Sequence, residues 1–96
     1  MMPNIDYDAI VQTAQRIRDL TNEAIAALQA RSDKLDGAIN WGDLACVDAW
    51  YFIDSFGFSG YRVLVEGASP DAVDLQEYIE DYLLDHMLDV YVVLEW

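Results

Sequence analysis

A chain of 96 residues with a formal net charge of −13 is too acidic to grip nucleic acid, because holding phosphates requires clustered cations. Its 54% hydrophobic content excludes general disorder, and its single cysteine, Cys46, excludes an internal disulfide. No hydrophobic run is longer than that of AWYFI, far short of the roughly twenty residues of a membrane span, and the acidic start MMPNIDYD is unlike a signal peptide.

These bounds predict one domain over residues 1–96, in a reducing, cytoplasmic compartment. From about Tyr7 to Arg31, the residues Tyr7, Ile10, Ala14, Ile17, Thr21, Ala24 and Leu28 recur at steps of three and four. That spacing predicts a helix with one apolar face, capped at its start by Asn4 or Asp6 and ended near Gly37. The same seam offers a second use, a homodimer through helix 7–31, although packing on a sheet is the expected one.

LACVDAWYFID, residues 44–54, is rich in valine and aromatics and reads as a strand. YRVLVE, residues 61–66, alternates cleanly and reads as its hairpin partner, with Tyr61, Val63 and Val65 on one face. SFGFSG supplies the loop, and its Phe56 and Phe58 are expected to fold back onto the core. In GASPD, Ser69 is the predicted helix cap, with Pro70 in the first turn and Asp71 at the positive end. The second helix runs to about His86, and DVYVVLEW closes the chain as a third strand.

The order α-β-β-α-β predicts an α+β fold: a three-stranded, largely antiparallel sheet with two helices on one face. A right-handed crossover places strand three parallel to strand two. The simplest arrangement then sets strand three beside strand one, antiparallel to it.

Few motifs survive inspection. GFSGY departs from the G-x-S-x-G nucleophile elbow, since Gly60 comes one position early. His86 with Asp85, Asp89 or Tyr82 falls short of a zinc ligand set. DKLDGAINWGDL, residues 33–44, has the length of a calcium loop but lacks oxygen ligands at its third and fifth positions and the terminal Glu. Cys46 lies inside a strand and is expected to be a buried small hydrophobe. No catalytic group, metal or cofactor is expected.

Charge is the strong signal. Residues 1–35 hold four cations against five acids, whereas residues 36–96 hold Arg62 alone against thirteen. Residues 71–89 carry seven carboxylates and no lysine or arginine. At 100° per residue, Ala72, Leu75, Ile79, Tyr82, Leu83 and His86 share one face. Asp74, Glu77, Asp81 and Asp85 line the opposite one, flanked by Asp71 and Glu80, with a repeat of about 4.5–6 Å. Leu84 projects among these acids as a candidate apolar anchor, with Leu88 beyond it. Like charges so placed repel by a few tenths of a kcal/mol per pair, and no i,i+4 cation offsets them.

In size, acidity and this phosphate-like row, the chain resembles small phage-encoded inhibitors of host defence, of the anti-CRISPR and antirestriction DNA-mimic type. The resemblance implies a non-enzymatic inhibitor in the host cytoplasm that occupies the nucleic-acid-binding surface of a basic protein. Asp71, Asp74, Glu77, Glu80, Asp81, Leu84 and Asp85 are then its partner-binding residues. Two other readings stand beside it: a salt-adapted acidic binding module, and an accessory or immunity-type protein without mimicry.

Overall fold

A computed structural model of the chain describes residues 7–31, 38–53, 55–57 and 59–96. Asn4, Asp6, Gly37 and Phe58 lie outside the described residues.

The first helix, α1, spans Tyr7–Arg31. Its seam is buried only from Ile17 onward, through Thr21, Ala24 and Leu28, with Ile25 added beside it. Each aliphatic side chain sealed in this way contributes about 1.5–3 kcal/mol. Thr21 tolerates full burial because its hydroxyl donates to the Ile17 carbonyl at 2.6 Å. The first turns behave differently: Ile10 and Ala14 are only half-buried, and Tyr7 is 71% exposed.

Strand β1, Ala45–Ile53, pairs antiparallel with β2, Ser59–Glu66. A bulge between Cys46 and Asp48 inserts one residue, so that Cys46 and Ala49 face the same side although three positions apart. That side continues through their partners Val65 and Val63, and both helices pack on it. Strand β3, Val90–Glu95, runs parallel to β2, pairing Val92 with Val63 and Leu94 with Val65. These alternating residues form the buried floor of the core.

The sheet order is β1-β2-β3, which corrects two expectations. Strand three lies beside strand two, and the sheet is mixed, with one antiparallel and one parallel pair. Space explains this. A helix is about 10 Å wide and strands are about 4.8 Å apart, so two helices side by side need the whole sheet. The first helix takes the ground over β1, where Asn22 also accepts the Cys46 N–H at 3.1 Å. The second finds floor only if β3 extends the sheet beyond β2. The clean alternation of β2 then belongs to a central strand, with Val63 and Val65 fully buried.

The link from β2 is knit tightly into the sheet. Gly67 and Ala68 N–H groups donate to Glu95 O at 2.8 and 3.2 Å, and Gly67 O accepts from Asn40 N. Gly67 sits at φ +98°, and a Cβ there would come within 2.8 Å of Leu44 backbone, so only glycine fits. Ser69 does not cap the helix as expected. Its hydroxyl accepts from Asp71 N and its carbonyl from Ala72 N, closing a turn that holds Pro70 before the helix begins. The second helix, α2, spans Val73–Asp85, with Ala72 at its cap position and no side-chain cap.

Its other end closes in a Schellman motif. Leu88 N donates to Leu83 O and Met87 N to Leu84 O, with Met87 in the left-handed region at φ 64°. Leu88 folds in against the core, above the fully buried Leu83.

Among the described residues, no helix packs on the opposite face of the sheet. Across it, the Arg62 guanidinium lies 4.2 Å from the Phe52 ring centre and 5.7 Å from that of Tyr91. Phe52 of this cross-strand stack lies against Gly60, its partner on β2.

Candidate functional site

Helix α2 is anchored on two sides. Leu75, Ile79 and Leu83 are fully buried against the sheet and α1. On one flank, the Gln76 amide donates to Val92 O at 2.8 Å and the Glu80 carboxylate accepts the Val92 N–H at 3.0 Å. The helix thus supplies Val92, on the outer edge of β3, with the two hydrogen bonds that a fourth strand would otherwise make there. On the other flank, Tyr78, Tyr82 and His86 stack in series, with ring centres 6.5 and 5.0 Å apart. His86 Nδ1 donates to Tyr82 O at 2.9 Å, a role that requires Nδ1 to carry the hydrogen because a carbonyl only accepts.

Anchoring on these sides fixes what faces water. Asp74, Glu77, Asp81 and Asp85 are all exposed and occupy one stripe opposite the core. At 1.5 Å per residue this row spans about 16 Å. Among the described residues, Glu77, Asp81 and Asp85 have no ion-pair partner. Asp71 is exposed in the turn before the helix. Glu80 is brought partly inward, with one oxygen committed to β3. Leu84 stands 57% exposed beside the row, and Val73, which pattern reading passed over, stands beside it at 51%. Helical spacing could have flagged Val73, since it lies eleven residues before Leu84 and so on the same side of the helix.

Other candidates carry less chemistry. Cys46 is buried, and desolvation pushes its thiol above the ordinary value of 9.0; the Asp48 backbone contact only partly offsets this. A thiol so held is a poor nucleophile. No three of the described His, Cys, Asp and Glu residues are grouped to hold a metal ion. No helix of the described residues is long and apolar enough to cross a membrane. Phe56 does not fold back onto the core: it is 86% exposed at the hairpin tip, beyond the reach of the sheet's helical cover.

A second surface feature was not legible in sequence. Where the first turns of α1 diverge from the far part of β1, an open groove of about 610 Å³ forms. Ile10, Val11 and Ala14 line one wall and Ala49, Tyr51 and Ile53 the other, with Arg18 as its cation. Periodicity places Tyr7, Ile10 and Ala14 on the core face. Only the packing shows that they extend past the core.

No family model matches the chain, and neither the curated proteins nor the solved structures contain a match.

Proposed function

We propose that the protein is a non-enzymatic, protein-binding inhibitor that sets the outer face of α2 against the nucleic-acid-binding surface of a basic protein. The observation that carries this reading is the exposed row Asp74, Glu77, Asp81 and Asp85 on a helix that contains no lysine or arginine. A carboxylate every turn stands where a nucleic-acid strand would present phosphates, and a surface built to hold phosphates attracts it through the same cations. The flanking Leu84 and Val73 add the apolar contacts that long-range charge alone lacks. Inhibition of the anti-CRISPR or antirestriction kind fits this design, acting in the cytoplasm of a host cell.

The test is competition. A cationic nucleic-acid-binding protein captured by the chain should release its DNA or RNA on binding; a stable ternary complex would refute mimicry. Replacing Asp74, Glu77, Asp81 and Asp85 together with lysine should abolish capture while far-UV circular dichroism stays unchanged.

One observation favours a second reading. Asp48, Glu66 and Glu95 are also exposed, on the face of the sheet away from the helices. Acidity spread over several faces suits a salt-adapted binding module. Such a protein should gain much of its melting temperature only in molar salt, whereas an inhibitor of the proposed kind should be fully folded in dilute buffer.

A further inference from the structure

The groove beside α1 needs an occupant of different chemistry from that of the acid row. Val11, Gln15 and Arg18 line its α1 side, and Asp8, exposed one turn before Val11, continues the same stripe at steps of three, four and three along the helix. The stripe reads the same in both directions. If two copies of α1 lie antiparallel and cross at the level of Thr13, Asp8 of each meets Arg18 of the other and Val11 meets Gln15. Neither Asp8 nor Arg18 has an ion-pair partner among the described residues. Residues 7–18 hold Arg16 and Arg18 against Asp8 alone, so this is a slightly positive segment in a chain of charge −13. The carboxylates of α2 lie over β3, at the opposite edge of the sheet.

We propose that this protein forms a two-fold symmetric dimer in which the first turns of α1 pair antiparallel across the groove mouth. Two Asp8–Arg18 ion pairs flank a centre in which Val11 of each copy packs on the methylene part of Gln15 of the other. An isologous contact of this kind needs only one self-complementary patch. Contact at the groove mouth also lets two acidic molecules meet where their mutual repulsion is least, with both acid rows facing outward. The seam from Ile17 onward takes no part, since it is buried under the sheet. The inference stands independently of the proposed inhibition.

Sedimentation equilibrium of the full chain, from about 1 to 300 µM, tests it directly. The wild-type chain should dimerise within that range. Asp8→Arg alone and Arg18→Asp alone should each weaken the dimer by about tenfold or more, because each turns two attractions into two repulsions. Mixing these two variants should restore dimers, since one copy then presents arginine at both contact positions and the other presents aspartate at both. The double variant should self-associate within about threefold of wild type, because it exchanges the two charges and keeps every contact attractive. Restoration on mixing also shows that both variants are folded, and circular dichroism checks this separately. A monomer throughout the range overturns the proposal. So does a dimer indifferent to both single substitutions, or one that neither mixing nor the double variant restores. If the chain is monomeric and Val11→Arg instead removes its capture of a cationic protein, the groove belongs to that foreign partner and self-pairing is wrong.

Discussion

The two helices face water in contrasting ways. Helix α2 is short, fixed on its core face and on the flank toward β3, and lines its outer stripe with four carboxylates, with Val73 and Leu84 beside them. The first turns of α1 carry apolar residues that the core does not reach, around a groove whose cation is Arg18. The contrast teaches that amphipathicity alone does not say whether an apolar stripe is buried. A stripe is buried only over the length of the surface it meets, and β1 and β2 close on α1 only from Ile17 onward.

Matched truncations break the contrast most sharply. Ile79→Ala, in the fully buried face of α2, should cost about 3–4 kcal/mol in urea unfolding. Ile10→Ala, at the same type of seam position in α1, should cost less than about 1 kcal/mol, since its site already borders open space. Comparable losses at both sites would mean that the first turns of α1 are packed after all.

The edge contacts rank next. Glu80→Ala leaves the Val92 N–H without its acceptor at 3.0 Å and should cost about 1–2 kcal/mol. Hydrogen exchange at Val92 should rise with it. Asp81→Ala, one position on, removes an exposed charge and should be neutral or slightly stabilising. That pair of variants separates the acid that serves the fold from those that face outward.

A smaller effect of opposite sign is expected at the end of α2. Met87 holds a left-handed conformation with its side chain 93% exposed, so Met87→Gly removes strain and loses almost no packing. It should stabilise the protein by about 1 kcal/mol in thermal melts, and no gain would mean that Met87 makes contacts of its own. The smallest expected effect is that of salt. Between low and moderate ionic strength, screening of the α2 row should add a few tenths of a kcal/mol per close pair of carboxylates. The double variant Glu77→Gln/Asp81→Asn should blunt that gain.

Much of the fold was legible because it rests on local periodicity. The extents of α1 and the hairpin strands, the facing of Tyr61, Val63 and Val65, and the acid row all follow from steps of two or of three and four residues. Ser69 misled because a serine followed by proline forms a turn by the same hydrogen bonds that cap a helix, and the helix starts later, at Val73. Glu80 looked like another surface acid, since spacing records the side of a helix and not whether a strand edge lies within reach. Phe56 was expected inside on composition, but a hairpin tip outruns the layer that would cover it.

The sequence by itself determined the elements, their amphipathic faces and the uncompensated charge of α2, because each is a property of neighbouring residues along one chain. Tertiary structure alone decided that β3 lies beside β2, that Gln76 and Glu80 bond to its edge at Val92, and that α1 parts from β1 to leave a groove. These depend on how much width two helices need on three strands and on where a 25-residue helix outruns its floor, distances that no local pattern encodes.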